Sequence, residues 1–210
     1  MKALTKEAQA MISPSGAITL LREGNQRFVK NNHAHRDLLE QVRDTAKGQF
    51  PFATILSCID SRVSAELIFD QGVGDIFSVR VAGNIVNEDL LGSMEFACKL
   101  AGTKIILVLG HTSCGAVKGA CDDARLGNLT TLLAKIKPAV EAVPQPENPS
   151  ERTSQNLEFV DQVAETNVRL TMENIRKQSP VLKEMEEKGE IVIAGGMYDI
   201  SSGEVSFLGS

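Results

Sequence analysis

The chain has 210 residues, enough for one domain with a full core, and its 42% hydrophobic and 23% charged content is globular. Its net charge is −5, from 22 basic and 27 acidic residues, with no basic stripe, which argues against nucleic acid as a partner. No apolar run approaches the ~20 residues of a membrane helix. Residues 1–11 lack the apolar core of a signal peptide. The expectation is therefore a cytoplasmic protein, or a periplasmic one if a signal segment has been removed.

Residues 14–31 place Ile18, Leu21, Phe28 and Val29 near one face and predict an amphipathic helix with no partner nearby in sequence. Residues 37–47 predict a second, more polar helix. His33 and His35, between the two, read as solvated surface groups. A strand at 52–57 ends at Cys58, and 64–70 is a short helix stopped near Gly72 and Gly74. A second strand follows at 75–81, then a helix at 88–101 with Gly102 as its stop, then a third strand at 104–109. Residues 128–143 predict one helix, 144–154 a surface loop, and 154–178 a long charged helix. Ser179-Pro180 is an N-cap followed by a first-turn proline, opening a helix that runs to Lys188. Strands at 191–194 and 204–208 complete the chain, with Gly195-Gly196 read as a close backbone approach or a tight turn. Strands alternating with helices predict an α/β fold, a mainly parallel sheet flanked by helices on both faces. Residues 1–50 read as an N-terminal helical arm of the same domain, and 51–210 as its α/β core.

Chemistry concentrates at two strand ends. Cys58-Ile59-Asp60-Ser61-Arg62 follows the first strand, and His111-Thr112-Ser113-Cys114 follows the third. In an open α/β sheet, ligands bind beyond the carboxyl ends of the strands. Two thiolates and an imidazole suit Zn²⁺, and three protein ligands with a fourth position open mark a catalytic metal rather than a structural one. Cys58 and Asp60 lie at i and i+2, on one side if the strand geometry persists. Arg62 can grip the Asp60 carboxylate in bidentate fashion and keep it as a proton acceptor rather than a ligand. Gly110 and Gly115 are expected to permit the turn between His111 and Cys114. Cys98 and Cys121 read as buried packing residues, and no Cys-x-x-Cys redox motif is present.

These residues resemble the β-class carbonic anhydrases across most of the chain. The match comprises Cys58-x-Asp60-Ser61-Arg62, Phe77-Ser-Val-Arg80-Val-Ala-Gly-Asn84, Gly110-His111-Thr-Ser-Cys114-Gly115 and Tyr198-Asp199. The resemblance implies a four-stranded parallel core with an edge strand, and helical arms wrapping a partner in a homodimer or dimer-of-dimers. It also implies Zn²⁺ on Cys58, His111 and Cys114, an Asp60–Arg62 dyad, and reversible hydration of CO₂ to bicarbonate and a proton by zinc-activated water. Gln49, Phe77, Ala82, Phe96 and Gly115 fall at its substrate-pocket positions, where Ala82 replaces a valine and Phe96 a tyrosine. In a closed form of the family, the aspartate binds zinc beside a bicarbonate site that uses a tryptophan. Ile55 stands at that position here, although Arg80 and Tyr198 match the rest of that site, so the open form is expected. Two other readings keep these residues: a CS₂ or COS hydrolase on the same scaffold, and a noncatalytic zinc module for assembly.

Overall fold

In the computed structural model, residues 2–208 are described. The sheet has five strands, β1 (Ala53–Ser57), β2 (Ile76–Arg80), β3 (Ile105–His111), β4 (Val192–Tyr198) and β5 (Val205–Leu208), in the order β2-β1-β3-β4-β5. The first four are parallel, and β5 closes one edge antiparallel to β4. β1 and β3 are buried at every residue, as expected of central strands covered on both faces. The chain leaves β1 for β2 on one side and then crosses back to β3 on the other. The carboxyl ends of β1 and β3 therefore form the topological switch point, where a ligand crevice is expected. In register, Ser57 faces Leu109, which sets Cys58 beside the end of β3.

Alternation divides the core. Ile105, Leu107 and Leu109 face a cluster built with Ala17, Leu21 and Phe69, while Ile106 and Val108 face one built with Met172, Ile175 and Leu182. The first layer comes from α2 (Pro14–Val29) and α4 (Ala65–Ile68), and the second from α9 (Leu157–Gln178) and α10 (Pro180–Glu187). Side-chain oxygens of Ser13, Asn156 and Ser179 cap the starts of α2, α9 and α10, satisfying N–H groups that have no partner within the helix.

Several expectations are corrected. α1 (Lys6–Met11) precedes α2, where the sequence pattern predicts no helix. α2 does have a partner in its own chain. Its buried face is Ala17, Leu21, Gly24 and Asn25, whereas Val29 is exposed. Asn25 donates from Nδ2 to the carbonyls of Ile68 and Gly203 and accepts from the Val205 N–H. The helix expected at 128–143 is two helices, α7 (Gly127–Ala134) and α8 (Lys137–Ala142). Pro138 has no N–H to donate and its ring would clash with the carbonyl of Ala134, so one helix cannot run through. Gly195 and Gly196 lie inside β4 rather than in a turn after it. A Cβ on Gly195 would stand 2.8 Å from Met172 Sδ, so the close approach is real and the turn is not. Between them stand α3 (Leu38–Thr45), α5 (Glu88–Glu95), which continues as a π-helical turn over Phe96–Leu100, and α6 (Gly115–Cys121).

His33 is not simply solvated. It lies edge-on to Phe28, with Nδ1 3.6 Å from Asp70, the centre of an ion cluster. Asp70 is buried and accepts from Arg27 Nε at 2.5 Å, Arg36 Nη1 at 2.7 Å and the Ala34 N–H at 3.1 Å. Burial raises its carboxyl, but Arg27, the Ala34 N–H and Arg36 outweigh that and hold it below the usual range. A carboxyl lowered by folding stabilises above its ordinary pKa and loses that contribution as pH falls through the folded value. Asp70→Asn strands two guanidinium groups, one of them buried, and should cost about 3 kcal/mol at neutral pH. Urea unfolding should show the gap between wild type and variant narrowing below about pH 4. Equal stability at pH 7 would refute the role given to this cluster.

Candidate metal centre

Cys58 follows β1 directly, His111 is the last residue of β3, and Cys114 is the N-cap residue of α6. Their ligand atoms lie within 4.8 Å of one another, and all three side chains are buried. The two sulfurs are 4.0 Å apart. A hydrogen bond from Cys114 holds the Cys58 thiol well below its ordinary range. The same bond, together with burial, pushes Cys114 up. By contrast, burial raises Cys98 and Cys121 to about 11, in keeping with inert packing residues.

His111 shows what this cluster suits. Its Nδ1 lies 2.9 Å from the Thr112 carbonyl, which can only accept, so Nδ1 carries the hydrogen. Nε2 is then a bare lone pair, and it is buried with no hydrogen-bond partner among the described residues. An orphaned imidazole nitrogen beside two thiols is a donor set a soft or borderline cation satisfies.

Asp60 does not join this group. The strand has ended at Ser57, so period two no longer directs its side chain, and the backbone turns instead, with Val63 N–H on the Asp60 carbonyl. The Asp60 carboxylate accepts from Arg62 Nε at 2.9 Å, Nη2 at 2.7 Å and the Arg62 N–H at 3.0 Å. The Arg62 guanidinium holds Asp60 far below the usual carboxylate range. Arg80 is occupied with the same loop, donating to the carbonyls of Cys58 at 3.0 Å and Asp60 at 2.7 Å. Tyr198 is buried at the end of β4, opposite His111 in register.

The turn between His111 and Cys114 does not use a glycine. Ser113 takes the left-handed conformation, φ 54°, and its N–H donates to Asp161 Oδ1 at 2.7 Å. Gly110 lies within β3, where a Cβ would stand 2.6 Å from Val168 Cγ2, so its absent side chain admits α9 rather than a turn. Sequence reasoning missed Asp161, since an acidic residue on a charged helix carries no local signal.

Of the expected pocket residues, Phe77 and Phe96 come together, with ring centroids 6.3 Å apart. They line a groove of about 710 Å³ along the free edge of β2, with Arg80, Glu88 and Ser93. Gln49, Ala82 and Gly115 do not line this groove. Gln49 is exposed before β1, Ala82 is half-buried in a 3₁₀ turn (Ala82–Asn84), and Gly115 opens α6 with free space around it.

A mainly parallel α/β sheet covered on both faces thus carries a candidate metal site, a soft-donor cluster beside a carboxylate–guanidinium pair, at its switch point. The profile of the family described as carbonic anhydrase matches residues 53–205. Carbonic anhydrase 2 of Mycobacterium tuberculosis is 36% identical over 192 residues, covering 91% of each chain. Among solved structures, a tetrameric β-carbonic anhydrase of Sordaria macrospora superposes with a TM-score of 0.69 at 26% identity, covering 80% of this chain and 85% of the other. The Coccomyxa β-carbonic anhydrase in complex with acetazolamide gives 0.68 at 25%, covering 79% and 75%. The chain belongs to the β-carbonic anhydrase family and is a carbonate dehydratase, a lyase.

Proposed function

We propose that this protein catalyses the reversible hydration of CO₂ with one Zn²⁺ per chain on Cys58, His111 and Cys114. The observation that carries this is the convergence of those three donors while the neighbouring carboxylate is held aside by Arg62. Zinc, when bound, supplies a Lewis acid that brings the pKa of water from 15.7 toward ~7. Two thiolates offset more of its charge than imidazoles do, so activity should favour alkaline pH.

The chain's own residues supply the rest. Asp60, kept ionised and turned away by Arg62, accepts a hydrogen bond from the reacting water and aims its lone pair at carbon. Arg80 fixes the loop that carries both Cys58 and Asp60. Ala82 and Gly115 leave room for a small apolar substrate. Stopped-flow CO₂ hydration on zinc-quantified protein tests this: the rate should scale with zinc content. Background rates at full zinc occupancy would favour the noncatalytic module, and turnover of CS₂ or COS alone would favour the other hydrolase.

The working unit is a homodimer or a dimer-of-dimers, with residues 1–50 as the arm and 51–210 as the core. Support comes from the edge of β2, which no strand pairs among the described residues, from exposed Phe96 in the groove beside it, and from exposed Leu100 and, on α3, Leu38, Leu39 and Val42. Gln49 would enter the pocket from this interface. Because α2 is tied to its own core, removing the first helices would not isolate the interface. Phe96→Glu is the cleaner test, and sedimentation should show a smaller species than wild type. A wild-type protein that sediments as a monomer would contradict the shared interface. Among the described residues no helix is long and apolar enough to cross a membrane.

A further inference from the structure

We infer, taking Cys58 as a metal ligand, that Asn167 is a positioning residue for the Cys58 sulfur, acting through Gly83. The Gly83 N–H points at Cys58 Sγ, 3.4 Å away. Gly83 has φ 69°, and a Cβ there would stand 2.5 Å from Ile136 Cδ1, so no other residue fits without displacement. A glycine has no side chain with which to hold itself, and its backbone is intrinsically free to move. Here the restraint comes from across the fold. Asn167 Nδ2 donates to the Gly83 carbonyl at 2.8 Å.

Asn167 sits on the buried face of α9 among Val163, Ala164, Val168 and Met172, and is only 3% exposed. An amide there is a poor helix former and loses its hydration. Apart from Thr171 one turn on, the other buried residues of this face are apolar, so a buried amide here needs a reason. The bond it makes returns that loss and keeps the glycine N–H aimed at sulfur. An N–H donor withdraws charge from a thiolate, and outer partners of this kind govern both metal affinity and the electronic character of the ligand. α9 thus braces both halves of the centre, Asp161 on the His111–Cys114 turn and Asn167 on the Cys58 side.

The test uses Asn167→Leu, which keeps the branched outline and heavy-atom count and removes the donor, beside Ile175→Ala, which opens a cavity on the same helix far from Gly83. Zinc affinity is read by competition with a chromogenic chelator. The thiolate-to-metal charge-transfer band is read on cobalt-loaded protein. Asn167→Leu should weaken zinc about tenfold and move the band to longer wavelength, while Ile175→Ala changes neither. Should the leucine variant fail to fold, Asn167→Ser, too short to reach the carbonyl, should show both shifts. Unchanged affinity and band overturn the inference, and so does weaker affinity with an unmoved band, which would mean a structural role only. Failure of the wild type to bind either metal would instead remove the ligand assignment on which it rests.

Discussion

Cys114→Ser should strip zinc from the protein and abolish measurable CO₂ hydration. Cys114 is fully buried, 4.0 Å from the Cys58 sulfur, in the three-donor cluster, while the neighbouring Asp60 carboxylate is held by Arg62. A serine hydroxyl stays protonated near neutrality and is a poor ligand for a cation that prefers thiolate and imidazole. Changes in outer partners alone cost 10–100-fold in metal affinity, so loss of a direct ligand should exceed about 100-fold. Without the metal, water keeps its bulk pKa and the nucleophile disappears. The side chains are close in size, so the fold should survive, and circular dichroism can verify that. Elemental analysis showing full zinc occupancy in this variant would refute the ligand assignment.

Arg62→Ala should have the opposite signature, with zinc retained and turnover reduced by about 10²–10⁴, the scale of a lost general acid–base contribution. Two of the three bonds on the Asp60 carboxylate come from the guanidinium, and only the Arg62 N–H would remain. Freed from its clamp, the carboxylate can turn toward the metal and occupy the position that water needs. Arg62 is half exposed, so global stability should change little. Arg62→Lys supplies charge without the fork and should recover only part of the rate. Turnover like wild type in the alanine variant would show that Arg62 does not hold Asp60.

Much of this was legible in the chain because it is local. Continuous apolar runs marked β1 and β3, and Ser179-Pro180 marked the start of α10, since burial on two faces and capping leave signatures within a few residues. The donor cluster was legible because each half follows its strand directly, and parallel pairing of β1 with β3 brings the halves together. What was not legible depends on contacts across the fold. Gly110 reads as a turn residue and Gly195 as either a turn or a close approach, yet both are strand positions where α9 lies close. The turn expected from Gly110 and Gly115 is made by Ser113, whose unusual backbone is held by Asp161, 48 residues away. α2 looked unpartnered because Ile68, Gly203 and Val205, which bind Asn25, are remote in sequence. Phe77 and Phe96 were placed in a pocket, but within one chain they form an open groove at a sheet edge.

The most direct test of the account is a crystal grown near pH 7, with diffraction recorded at the zinc absorption edge. One anomalous peak per chain should fall between Cys58, His111 and Cys114, with sulfur at about 2.3 Å and Nε2 of His111 at about 2.0–2.1 Å. Asp60 should remain on Arg62 at about 2.7–2.9 Å, with water or a small anion in the fourth position. An Asp60 oxygen at about 2.0–2.2 Å from the metal, or no peak among the three side chains, would contradict it.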